Sequence, residues 1–127
     1  MKEQIISFDT AKLAKEKGFD WQVRNYFRIT SISKPIEEDR CTMQNINAMK
    51  DSSIFSRPTQ SLLQRWLREK HKIHIDLWYN DLTNKWRCEC LYLLPLMEVL
   101  SVNCNEHPTY EEALEEGLQE GLKLIPD

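Results

Sequence analysis

Glycine is scarce in this sequence, at three residues in 127. The glycine-rich backbone cradles that hold phosphates are therefore missing, as are a nucleophile elbow and a zincin helix. The four cysteines, Cys41, Cys88, Cys90 and Cys104, form no Cys-x-x-Cys pair. A disulfide framework is not expected, and in a cytosolic chain these thiols stay reduced. Long apolar runs are also absent. The best candidate, Leu91 to Leu100, is interrupted by Pro95 and Glu98 and falls short of a bilayer span. Met1-Lys2-Glu3-Gln4 leads through Ile5-Ile6 into polar sequence, without a signal-peptide core. A cytoplasmic protein is expected. The net charge of −3 is too small to argue for a general affinity for nucleic acid or membranes.

What is present is ordinary globular composition, with 41% hydrophobic and 29% charged residues, enough to fold without a metal or disulfide. The length fits a single α+β domain over 1–127, with an irregular insertion at 33–57.

Ser7 is a good N-cap for a first helix ending near Lys17. Gly18 then stands where a left-handed residue is wanted, and Phe19 where a Schellman motif places its apolar contact. A weak strand is expected around Tyr26–Thr30. From Ser33 to Arg57 the pattern is lost, although Met43, Ile46 and Met49 keep a helical spacing.

Order returns at Thr59, a plausible N-cap for helix 59–71 with Leu62, Leu63, Trp66 and Leu67 on one face. The period then changes to two: Ile73, Ile75, Leu77 and Tyr79 point one way, His74, Asp76 and Trp78 the other. Asn80–Thr83 reads as a turn, Trp86–Leu93 as a second strand and Met97–Val102 as a third. On the second strand Trp86, Cys88 and Cys90 are expected to face the helices. A loop placing Tyr79 opposite Asn84 avoids setting Asp76 against Glu89 and is the expected register. Thr109-x-x-Glu112 is a capping box for a last helix with Leu114, Leu118, Leu122 and Ile125 as its ridge. Ala113, Gly117 and Gly121 form a smooth groove beside that ridge, which predicts close packing of another backbone. The expected architecture is a three-stranded antiparallel meander packed on one face by helices, in the order α-(β)-irregular-α-β-β-β-α.

Residues 58–75 and 109–125, with an echo in Ala11–Phe19, resemble small uncharacterised proteins carried by bacteriophages and other bacterial mobile elements. The resemblance implies an origin; it brings no reaction, cofactor or catalytic residue.

Two constellations bear on chemistry. Cys88-x-Cys90 with Cys104-x-x-His107 offers zinc-type ligands, but residues two apart on a strand lie about 6.5 Å apart along it, a poor chelate. Cys88 and Cys90 read better as small buried hydrophobes. Cys104 and His107 lie in a polar loop with no orienting acid or oxyanion donors, so they make a poor nucleophile and base. No metal, cofactor, catalytic residue or small-molecule substrate is assigned.

Two constellations bear on binding. Arg57 to His74 holds five basic residues against Glu69 alone, and Thr109 to Lys123 five acids against Lys123 alone. These are either solvated helix faces, a nucleic-acid patch using Arg65, Arg68 and Lys72, or complementary faces for self-association. The outer sheet face carries Trp78 with Leu91 and Leu93, either a contact surface or a patch covered through Ile54 and Phe55. The expected function is that of a non-catalytic accessory protein of a phage-like or plasmid-like element, acting through protein–protein contacts or self-association. The alternative is a nucleic-acid binder using the basic face of helix 59–71.

Overall fold

A computed structural model describes residues 4–30, 34–93 and 99–126, with only the backbone of Cys41, Leu93 and Val99. The fold is α+β, and its contacts gather into two compact units, Met1–Thr59 and Gln60–Asp127. None of its described helices is long and apolar enough to cross a membrane.

The first unit opens with α1, Phe8–Glu16, capped as the sequence predicts: the Ser7 hydroxyl accepts from the Thr10 N–H at 3.3 Å. Gly18 takes φ +89°, a left-handed conformation open to glycine without strain. The Phe19 N–H then reaches the Ala14 carbonyl at 2.9 Å and the Gly18 N–H the Lys15 carbonyl at 3.2 Å, the two bonds of a Schellman motif. Phe19 is buried beneath that turn.

The segment expected to be irregular, 33–57, is a correction. With β1, Val23–Arg28, it builds a three-stranded antiparallel sheet in the order β2-β1-β3, where β2 is Ile36–Gln44 and β3 is Ile54–Ser56. Pattern fails here because β2 is an edge strand of mostly exposed polar residues, and β3 has three residues. Polar partners hold β2 in place of apolar burial. The Tyr26 hydroxyl donates to Glu38, Arg28 Nε lies 3.3 Å from the same carboxylate, and Arg57 Nη1 lies 3.0 Å from Glu37. The helical spacing of Met43, Ile46 and Met49 resolves into one 3₁₀ turn, Ile46–Ala48, of which only Ile46 is buried.

One sheet face is aromatic: Phe8 of α1 meets Phe27 and Phe55 edge-to-face, with centroids 5.5 and 5.3 Å apart. Lys15 caps Phe55 at 4.7 Å and donates to the Asp51 and Ile54 carbonyls at 3.0 and 2.7 Å, tying the turn before β3 to α1.

In the second unit, α2 (Gln60–His71) and α3 (Tyr110–Lys123) pack on the meander β4 (Ile73–Asn80), β5 (Lys85–Leu93) and β6 (Val99–His107). Residues 94–98, which hold the expected start of the third strand at Met97, lie outside the described residues. Leu63, Trp66, Leu67, Ile73, Ile75, Cys88, Cys90, Leu114, Leu118 and Leu122 form the core, as the alternation and helical stripes predict. Trp86 and Leu77 are half-buried, and Tyr79 is exposed.

The hairpin register departs from expectation by two residues. Asn80 pairs with Lys85, Tyr79 with Trp86, Leu77 with Cys88, and Asp76 faces Glu89. Turn chemistry and aromatic contact outweigh the like-charge pair. Asn84 accepts φ +56° at the end of the Asp81–Asn84 loop, a left-handed conformation asparagine tolerates. Asn80 Oδ1 accepts from the Leu82 N–H at 3.0 Å, and the Tyr79 hydroxyl donates to Asn84 Oδ1 at 2.9 Å. The Tyr79 and Trp86 rings sit 5.3 Å apart. Against this, an exposed charge pair is worth well under about 1 kcal/mol, and Glu89 also receives the Ser101 hydroxyl at 2.6 Å.

Candidate functional site

Strand alternation and the observed register place Trp78, Arg87 and Glu106 in one row on the sheet face away from the helices, and His74, Leu91 and Ser101 in another. Trp78 is 42% exposed and Leu91 half-buried; the Leu93 side chain lies outside the described atoms. Ile54 and Phe55, the residues offered as a cover for this patch, are instead core residues of the first unit's own sheet.

The sequence did not reveal a second group of exposed large side chains at the hairpin tip. Tyr79 is 47% exposed, Leu82 91% and Tyr110 39%. The Trp86 ring meets Tyr79 at 5.3 Å and Tyr110 edge-to-face at 5.2 Å, so the three rings form a fixed ridge. Period-two alternation puts Tyr79 on the side of Ile73, Ile75 and Leu77, but carries no information about where the covering helix stops. The signal that could have found this ridge is Tyr110, the first residue of α3, which marks the end of the cover.

On α2, Arg65 and Arg68 are exposed on one helix face. Lys72 does not extend that face as the sequence predicted. It lies beyond the helix end at φ +59°, turning the chain into β4. Arg65 Nε is paired with Glu69 at 3.0 Å. The charge asymmetry also has a local account: Arg68, Lys70 and His71 occupy the last turn of α2, and Glu111 and Glu112 the first turn of α3. Each set opposes the macrodipole of its own helix.

Cys104 and His107 sit on β6, not in a loop as expected, because the strand runs on to the residue before Pro108. Cys104 is buried with Cys88 and Cys90, and all three are free thiols. Cys90 Sγ donates to the Gly117 carbonyl at 3.2 Å. The Cys88 thiol is pushed far up by its hydrogen bond with Cys90 and by burial; burial does the same to Cys104, helped by Cys88. A nucleophilic cysteine needs the opposite shift. His107 Nε2 is taken by Glu116 Oε1 at 2.7 Å. Among the described residues no group of three or more histidine, cysteine or acidic side chains could hold a metal ion.

The observed register slips by one residue between Arg87 and Glu89, so Cys104 and Asn105 together oppose Cys88 in a β-bulge. Glu116 closes it: its carboxylate accepts from the Asn105 backbone N–H at 3.0 Å and from Asn105 Nδ2 at 3.3 Å. No protein-family model matches this chain, and no curated protein or solved structure matches it either.

Proposed function

We propose that this chain is a non-catalytic binding protein that acts through protein–protein contacts or self-association, with Trp78 and the hairpin-tip aromatics as its contact surface. In line with the resemblance of residues 58–75 and 109–125, it serves as an accessory protein of a phage-like or plasmid-like element. The observation that carries the reading is the cluster of exposed large side chains around one hairpin: Trp78, Tyr79, Leu82 and Tyr110. Tyrosine and tryptophan are enriched in protein interfaces, where they bring large apolar area at low entropic cost. The rings of Tyr79, Trp86 and Tyr110 are already held against one another, which lowers the cost of ordering them on binding. The high thiol pKa values of Cys88 and Cys104 also favour a reading without a cysteine nucleophile.

The test compares the wild-type chain with Trp78→Ala and Leu82→Asp in affinity capture from a bacterial lysate, with and without nuclease, and in light scattering. A specific protein, or self-association, that is retained after nuclease and lost in both variants supports the reading. Submicromolar binding to DNA that weakens steeply with salt and disappears in Arg65→Ala and Arg68→Ala overturns it in favour of nucleic-acid binding.

A further inference from the structure

Among the described residues the two sheets present four edge strands, β2, β3, β4 and β6. Unpaired edges invite pairing with another chain unless charge, brevity or a capping side chain discourages it. Three of the four are guarded. β2 carries Glu37, Glu38, Asp39 and Arg40 in succession. β3 is three residues long, and its Ser56 N–H donates to Asn47 Oδ1 at 2.8 Å. On β4 the Ile75 carbonyl accepts from Gln64 Nε2 at 3.1 Å.

β6 differs. Its residues 99–103, Val-Leu-Ser-Val-Asn, contain no charge, proline or glycine. Leu100 is 45% exposed, Ser101 and Asn103 are exposed and Val102 half-buried. Among the described residues nothing pairs with the edge of β6 away from β5. Glu116 attends only to the far end of the strand, at Asn105 and His107.

We infer that residues 99–103 pair with the same residues of a second copy, antiparallel about a two-fold axis at Ser101, joining two three-stranded sheets into one of six strands. The inference goes beyond the proposed function, whose contact surface is the hairpin tip, and adds a second surface for self-association. The occupant is argued from the segment's own complementarity. Antiparallel pairing about Ser101 sets Leu100 against Val102 of the second copy and Val102 against its Leu100. Both lie on the face that carries Tyr92 and Cys90, so two apolar cross-strand pairs form and Leu100 loses its exposure. Ser101 meets itself. A two-fold axis sets the central residue of a strand against its own copy, so a charge there would repel itself. This stretch has none. The bulge at Cys104–Asn105 bends the strand and ends the pairing.

Sedimentation over a roughly hundredfold concentration range tests the inference. The wild-type chain is expected to dimerise, and Ser101→Asp, which sets two carboxylates face to face beside Glu89, to weaken the dimer about tenfold or more. Ser101→Cys in a Cys41→Ser background is expected to form an intermolecular disulfide with oxidised glutathione, because directly opposed strand residues have Cα separations within disulfide range. Asn103→Cys is expected not to, since its partner is Val99 of the second copy. A wild-type chain monomeric throughout the range overturns the inference. So does a dimer that survives Ser101→Asp and leaves Ser101→Cys uncrosslinked, while self-association by another surface stands. Trp78→Ala reports on the hairpin-tip surface separately and should leave the disulfide yield unchanged.

Discussion

Glu116 of α3 holds His107 of β6 through a 2.7 Å contact between its Oε1 and the imidazole Nε2. The same oxygen accepts the Asn105 backbone N–H at 3.0 Å. One half-buried carboxylate thus satisfies the extra residue of a β-bulge and fastens the end of the strand to the helix above it. Glu116→Ala should cost about 1.5–3 kcal/mol, the range for hydrogen bonds to a charged group. The Asn105 amide should exchange with solvent markedly faster than its neighbours. Unchanged urea midpoint and unchanged exchange at Asn105 would show that the carboxylate is ornamental.

Gly117 and Gly121 lie one turn apart on α3 yet should respond oppositely to alanine. A Cβ at Gly117 would sit 2.8 Å from Ile75 Cγ2, closer than van der Waals contact allows, and 3.1 Å from Cys88 Sγ. At Gly121 the nearest atom is Leu67 Cδ1 at 3.3 Å, the far end of a flexible side chain. Alanine gains about 1 kcal/mol of helix propensity at either position, and overpacking costs about 1–3 kcal/mol. Gly117→Ala should therefore destabilise and Gly121→Ala be neutral or stabilising, as chemical denaturation would read directly. The close approach comes from side chains, not from the second backbone that the glycine spacing predicted.

The pH response of the first unit follows from two carboxylates. Glu38 is held below its ordinary pKa by the hydrogen bond from Tyr26 and then by Arg28, and Asp51 by its hydrogen bonds from Ser53. A carboxyl whose folded pKa is depressed stabilises the fold above its unfolded pKa. That contribution is lost as pH falls through the folded value. The contribution of these two carboxylates should be complete at neutral pH and fade on acidification below about pH 4. Tyr26→Phe should move the Glu38 midpoint upward in a carbon-13 titration. An unmoved midpoint would remove Tyr26 as the cause.

Thiol reactivity checks the cysteine cluster. In a Cys41→Ser background, Cys88, Cys90 and Cys104 should label only as fast as the second unit opens, since all three are buried. Burial and mutual hydrogen bonding also keep Cys88 and Cys104 protonated. Labelling should accelerate with urea in step with unfolding. Fast labelling of the native chain would count against the packing described.

The sequence is most legible where one residue type answers one local need. Ser7 and Thr109 cap their helices as predicted, and Gly18 takes the left-handed turn with Phe19 folded beneath it. Alternation in Ile73–Ile75 and Cys88–Cys90 names the core of the second sheet. It fails for β2, because Glu37, Glu38 and Arg40 are held by partners on other strands or turns, which local pattern does not encode. The hairpin register is not legible from the Asp76–Glu89 charges, because Asn84 and the Tyr79–Trp86 contact decide it. Of the candidate surface, Trp78 was legible and the ridge of Tyr79, Trp86 and Tyr110 was not, since the cover of a sheet face is a tertiary fact.

The tie between the two helices of the second unit governs the order in which that unit assembles. Gln60 Nε2, at the start of α2, donates to the Glu111 carbonyl and to Glu115 Oε1, both at 2.9 Å, across 51 and 55 positions. The hairpins β4–β5 and β5–β6 close over short separations and can form early, whereas contacts of this reach pay their loop-closure entropy before any reward. During synthesis the meander therefore leaves the ribosome before the helix that covers Cys88, Cys90 and Ile75. For the time needed to make α3, the growing chain carries an apolar sheet covered by α2 alone, with an uncharged edge. The docking of Leu114, Leu118 and Leu122 is the step that ends this exposure, so substitutions on the buried ridge of α3 should lower the yield of soluble chain before they alter any contact of the finished protein.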